Sequence, residues 1–218
     1  MIHGVIFDMD GLMFDTERAS MRVWGRQLAE HGWTFTEEIG NRIRGRNDAG
    51  IRQVLESVYG PDFEYEPVRN GVRTGLIELL DTEGMPVKEG LYDLLAWLNE
   101  NHIPRAIASS SRRVSVDHHC KAAGVLEDFP LLVCGDMVTH SKPDPEIFLK
   151  AAELMGVEPA QCLVLEDSFN GVRAGAAGGF VTVMVPDMDQ PTPEIDALYT
   201  AKAQSLDEVL DWLKAGRL

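Results

Sequence analysis

The sequence predicts an α/β protein with a central parallel sheet and an inserted helical segment, and three observations carry that expectation. An apolar run from Ile2 to Phe7 ends in two acids, Asp8 and Asp10. From Pro86 onward, short apolar runs alternate with amphipathic stretches, the pattern of βαβ units. Between these regions, residues 16 to 81 read as helix throughout. An apolar run such as Ile2 to Phe7 reads as a strand buried on both faces, as in parallel sheets with helices on either side.

Taken in order, the first strand runs into Asp8-Met9-Asp10-Gly11. Residues two apart on an extended chain project to one side, about 6.5–7 Å apart by strand rise, so the two aspartates can face one reacting centre. Gly11 allows a sharp turn there, at the carboxyl edge where open α/β sheets bind ligands. Asp15 or Thr16 is suited to cap a helix through about Glu30, with Ala19, Val23, Trp24 and Leu28 on its apolar side. Thr36 caps a short helix, Asn47 a helix containing Ile51, Val54, Leu55 and Val58, and a further helix spans about Glu66 to Leu80. Leu91, Leu94, Leu95 and Leu98 make the next helical stripe. Strands follow at Ile103 to Ala108, Leu131 to Cys134, Cys162 to Leu165 and Val181 to Val185, separated by helices at Val114 to Ala123, from Pro145, and at Asn170 to Ala177. Asp187 to Pro193 reads as a loop, and Leu206 to Leu213 as the last helix.

With 218 residues, 44% hydrophobic and 25% charged, the chain can bury a sizeable core. Its net charge of −15 argues against nucleic acid and anionic membranes as partners. An anionic substrate must therefore find positive charge, or a metal, within the site. Cys120, Cys134 and Cys162 are odd in number and widely spaced, which fits reduced thiols in the cytoplasm. His118 and His119 are expected on a solvated surface beside a buried Cys120, because adjacent helical residues point in different directions. The first apolar run is interrupted by Asp8 and Asp10, so neither a signal peptide nor a membrane span is expected.

Three more strand ends carry chemistry suited to phosphate. Ser109-Ser110-Ser111 places hydroxyls and backbone N–H groups at a strand-to-helix turn. Ser141-Lys142-Pro143-Asp144-Pro145 holds one lysine in a proline-stiffened loop. Glu166-Asp167-Ser168 ends a buried strand in adjacent acids, suited to a hard cation with oxygen ligands. Helix capping, or a solvated lysine, is the competing reading at each place.

Together and in this order, these residues resemble the haloacid dehalogenase superfamily of phosphohydrolases. Asp8-Met9-Asp10-Gly11 is similar to its first motif, Ser109 to the second, Lys142 to the third and Glu166-Asp167 to the fourth. The helical stretch resembles the small cap of the β-phosphoglucomutase-like and sugar-phosphate phosphatase group. The resemblance implies a Rossmann-like core with strand order 3-2-1-4-5, formed by residues 1–15 and 82–218, and a cap at 16–81. It implies Asp8 as nucleophile and Asp10 as general acid and base. Ser109, Ser110 and Lys142 would bind phosphate, and Asp8, the Asp10 carbonyl, Asp167 and Glu166 would form a Mg²⁺ site. Arg46, and with it Arg44, would face substrate from the cap. The implied protein is a cytoplasmic monomer that hydrolyses small phosphorylated metabolites, in particular sugar phosphates. A phosphomutase and a non-catalytic phosphate-binding module are the alternatives. Ser20 and Asp48 depart from the mutase pattern, where a cap histidine and an arginine are expected. The cap loop keeps the family's glycine at Gly45.

Overall fold

The computed structural model describes residues 2–44, 46–188 and 190–218. Gly45 and Asp189, on which two of the sequence expectations touch, lie outside the described residues. The chain divides into two compact units, one formed by residues 1–14 and 87–218 and the other by residues 15–86.

The first unit is built on parallel strands β1 (Gly4–Phe7), β2 (Arg105–Ser109), β3 (Leu131–Cys134), β4 (Cys162–Glu166), β5 (Val181–Met184) and β6 (Ala201–Lys202). Their order in the sheet is β3-β2-β1-β4-β5-β6. Residues of β1 to β4 alternate between two buried layers. Ile6, Ala106, Ala108, Val133, Cys162 and Val164 share one core with Ile147, Phe148, Ala151 and Ala152 of helix α7 (Glu146–Met155) and Ala174 of α8 (Phe169–Ala177). On the opposite pleat Phe7 meets Phe129 edge to face, while α5 (Leu91–Glu100) packs on α10 (Leu206–Lys214). Each fully buried Leu or Ile of these layers stabilises the fold by about 1.5–3 kcal/mol.

Register positions the functional ends. Phe7 lies opposite Ile107 on one side and Leu165 on the other, and Ser109 lies opposite Cys134. Asp8, Ser109 and Glu166 therefore emerge at one edge, on either side of the place where strand order reverses. In open α/β sheets that crevice is where ligands bind.

The second unit contains α1 (Thr16–Glu30), α2 (Glu37–Ile43), α3 (Asp48–Tyr59) and α4 (Tyr65–Glu83). Trp24, Leu28, Ile43, Leu55, Val68 and Val72 form its core, and α1 lies along α4. Thr36 and Asn47 cap their helices, accepting from Ile39 N and Gly50 N. Asp15 does not cap: its carboxylate accepts from Arg18 at 2.7 Å.

Other expectations need correction. The helix ending at about Leu80 continues to Glu83, and Asp15 and residues 82–86 belong to the helical unit rather than the sheet unit. The sixth strand, two residues long, and the short α9 (Pro193–Asp196) escaped the sequence reading because neither is long enough to show a period. The pairing that defines β6 is extended by Thr200 N donating to Thr182 O and Ala203 N to Met184 O.

Candidate active site

The first turn is built by close contact. Gly11 has φ +91, and a Cβ there would lie 2.1 Å from Asp167 Oδ2, so both conformation and space require glycine. Asp8 is buried at 7% exposure, and Asp10 is partly exposed. Across the β1/β4 pair, Asp8 N donates to Leu165 O, which fixes the first aspartate beside Glu166.

Glu166 is fully buried. Its Oε2 accepts from Ser168 N at 2.8 Å and Ser168 Oγ at 2.9 Å. The same Ser168 hydroxyl accepts from Gly171 N, so Ser168, not Asp167, caps α8. A Cβ on Gly171 would fall 1.7 Å from Glu166 Oε1, and the glycine makes room for the carboxylate.

Lys142 joins these acids. Its side chain is 5% exposed, and Nζ donates to Asp8 Oδ1 at 2.5 Å, Glu166 Oε1 at 2.6 Å and Ala108 O at 3.1 Å. An ammonium has three N–H donors, and all three are engaged. Burial alone would depress the lysine, but Asp8 and Glu166 outweigh it and hold the ammonium above its ordinary range. For Asp8, burial is the largest influence and pushes the carboxyl up to about 8, with Lys142 opposing and Glu166 and Asp10 adding to the rise. One ammonium thus faces an excess of carboxylate.

That excess tests the site's fitness for a metal. Asp8 and Asp10 follow β1 and Asp167 follows β4, so carboxylates of the kind a hard divalent cation takes stand at the ends of two neighbouring strands. Asp167 reaches the turn at Gly11. Glu166 differs, because its oxygens are taken by Lys142 and Ser168, and it supports the cluster from behind. A second acidic set, His140, Asp144 and Glu146, has ligand atoms within 4.8 Å of one another. There Glu146 accepts from Thr139 N and His140 N and braces the loop before α7.

The serine turn is arranged differently from expectation. Ser109 is buried and its Oγ accepts from Ser111 N at 3.0 Å, whereas Ser110 is exposed. The residue that reaches the acids is Ser111, whose Oγ donates to Asp10 Oδ2 at 2.7 Å. The spacing argument applied to Asp8 and Asp10 would have found it, since Ser109 and Ser111 are also two apart.

His119 corrects the reading of α6 (Arg113–Ala122) as carrying two solvated histidines. It is 4% exposed, with Nδ1 3.8 Å from Asp10 Oδ1. Val116, His119, Cys120 and Ala123 are all buried and form an i, i+3, i+4, i+7 stripe, the inward face of the helix. Burial holds the imidazole below its usual range, against the pull of Asp10. Cys120 beside it is an inert buried thiol, pushed up to about 12 by desolvation.

Arg44 and Arg46 belong to the helical unit. Arg46 Nε donates to Arg42 O at 2.7 Å, and Arg44 donates to Asn41 Oδ1. Asp48 is an ion-pair hub there: Oδ1 accepts from Arg69 at 2.5 Å and from Tyr65 at 3.1 Å, and Oδ2 from Arg73 at 2.7 Å. Among the described residues, no helix is long and apolar enough to cross a membrane.

Fold and cluster together define a class: a doubly wound α/β protein whose ligand end gathers buried carboxylates around one lysine. Within that class, the chain belongs to the haloacid dehalogenase-like hydrolase family, whose model matches residues 2–179. It is 32% identical to hexitol phosphatase A of Escherichia coli over 84% of this chain and 82% of that one. It is 30% identical to the fructose-1-phosphate phosphatase YqaB of the same organism, over 84% and 95%. A family hydrolase from Deinococcus radiodurans, solved with bound phosphate and sodium, shares 25% identity and a TM-score of 0.77 over 100% of this chain and 97% of that one.

Proposed function

We propose that this hydrolase is a Mg²⁺-dependent phosphatase of sugar phosphates that works through an aspartyl-phosphate on Asp8. The observation that carries the reading is the Asp8–Lys142–Glu166 cluster at the sheet's ligand edge. Lys142 engages Oδ1 of Asp8, which supports Oδ2 as the oxygen that attacks phosphorus. As the Asp8–phosphorus bond forms, the bond to the leaving oxygen breaks and Asp10 supplies the proton that oxygen needs. In the second step Asp10 takes a proton from water, water oxygen bonds phosphorus, and the acyl phosphate bond breaks to regenerate the Asp8 carboxylate. Asp8, the Asp10 carbonyl and Asp167 would hold Mg²⁺, which supplies charge neutralisation where a carboxylate meets a phosphate dianion. Glu166 keeps Lys142 in place, and the Ser109 turn offers hydroxyl and N–H donors to the phosphate.

A test is release of inorganic phosphate from a panel of about a hundred phosphorylated metabolites, with and without chelator. Turnover concentrated on sugar phosphates, abolished by chelation and restored by Mg²⁺, is the expected result. Isomerisation of a sugar phosphate without free phosphate would indicate a mutase, and neither outcome a binding module. The mutase reading is not favoured by Asp48, whose carboxylate is spent on Arg69, Arg73 and Tyr65.

The helical insert is proposed as the cap that selects the leaving group, because it interrupts the chain immediately after the first catalytic turn. Arg46→Ala, and to a lesser degree Arg44→Ala, is expected to raise KM for the preferred sugar phosphate about tenfold while changing KM for a small aryl phosphate little. Steady-state kinetics on both substrates decide it. Equal effects on both, or on neither, would remove these arginines from the substrate's surroundings.

A further inference from the structure

We propose that Ser111 and His119 are positioning residues for Asp10, holding its carboxyl from two sides and linking it to the Ser109 turn. The inference rests on the reading of Asp10 as proton donor. Ser111 is itself fixed through its backbone: its N–H donates to Ser109 Oγ at 3.0 Å, and its carbonyl accepts from Gly135 N at 2.8 Å. Gly135 can approach this closely because it has no Cβ, which would lie 2.2 Å from Ser110 O. From that anchored position the Ser111 hydroxyl donates to Asp10 Oδ2 at 2.7 Å, across 101 residues of chain. One turn therefore offers donors to the phosphate and orients the group that protonates the leaving oxygen.

The other oxygen faces His119. Its Nδ1 lies 3.8 Å from Asp10 Oδ1, too long for a hydrogen bond, and is buried with no hydrogen-bond partner among the described residues. Phe14 stands edge-on to the ring, with centroids 6.4 Å apart at 90°. A buried ring nitrogen left unsatisfied is costly, so the imidazole favours conformations of Asp10 that bring Oδ1 toward it. Neither residue exchanges a proton with substrate. Ser111 sets one oxygen by a hydrogen bond, and His119 draws the other toward its ring nitrogen.

The test uses leaving groups of different basicity. An alkyl phosphate expels a strongly basic oxygen and needs the proton from Asp10, whereas dinitrophenyl phosphate expels a stable anion and does not. kcat/KM reports the first, phosphoryl-transfer step for both esters. Ser111→Ala is expected to lower kcat/KM about 10–100-fold for the alkyl ester and less than about threefold for the aryl ester, with Ser111→Thr recovering most of the loss. His119→Phe, which fills the space without a ring nitrogen, should show the same split more weakly. If that variant does not fold, the Ser111 pair decides alone. Asp10→Asn is the reference. If it shows the split and Ser111→Ala lowers both esters equally, Ser111 is only part of the phosphate turn and this inference is overturned while the proposed function stands. If Asp10→Asn itself lowers both equally, Asp10 is not the proton donor, and the inference falls together with that part of the proposed mechanism.

Discussion

Asp8→Asn is expected to abolish turnover, lowering kcat by at least about 10⁴-fold, because an amide oxygen is not a competent nucleophile toward phosphorus. The fold should survive. Asn is isosteric, and its Oδ1 can still accept from Lys142 where the carboxylate now does at 2.5 Å. Parent enzyme mixed with radiolabelled substrate and quenched in acid should retain label, and borohydride should convert the labelled aspartate to homoserine at position 8. The variant should retain none. Label recovered on any other residue of the parent would remove Asp8 from the role of nucleophile, and with it the proposed mechanism.

The second large effect is expected at Lys142. Replacing it with Ala leaves Asp8 and Glu166 buried together, with Glu166 raising the Asp8 carboxyl and without the ammonium that now lies between them. Breaking a buried pair by removing one partner costs about 3–5 kcal/mol, since the remaining charge is uncompensated. Activity toward alkyl and aryl phosphates alike should fall, because the change acts on the nucleophile and the phosphate that all substrates share. The pH dependence has a definite sign. Without the lysine, which opposes the rise, the folded-state Asp8 carboxyl moves further above its unfolded value, so between the two the folded state binds more protons than the unfolded one. Stability then falls as pH rises through that window and recovers toward about pH 5. Thermal unfolding of chelator-treated Lys142→Ala and parent protein across pH measures this. Lys142→Met combined with Glu166→Gln should regain stability without regaining activity. A Lys142→Ala protein as stable as the parent at every pH would mean that the three bonds of Lys142 contribute little to the fold.

How much of this was legible in the sequence differs by residue. Asp8, Asp10, Lys142, Glu166 and Asp167 could be read because each lies at or just after an apolar run, or in a proline-bounded loop, and a charge there is poorly explained by a solvated surface. The capping serine after β4 was readable as one of two choices. His119 was misread because neighbouring residues were compared with each other instead of with Val116 and Ala123, whose spacing puts it on the buried face. The sixth strand was invisible, since two residues carry no period and are defined by the partner they bond.

The sequence by itself determined the class of fold, the places where the chain turns, and which side chains are available for chemistry. All of these follow from local periodicity and from the conformational needs of residues such as Gly11. Tertiary structure alone decided which of those side chains meet. Lys142 bonds Asp8 across 134 residues and Ser111 bonds Asp10 across 101. Such contacts depend on β1 lying between β2 and β4, an order set by the packing of whole layers rather than by any local stretch. The same packing made Lys142 a buried, fully bonded counter-ion to two acids, a role its own neighbours, Ser141 and Pro143, do not reveal.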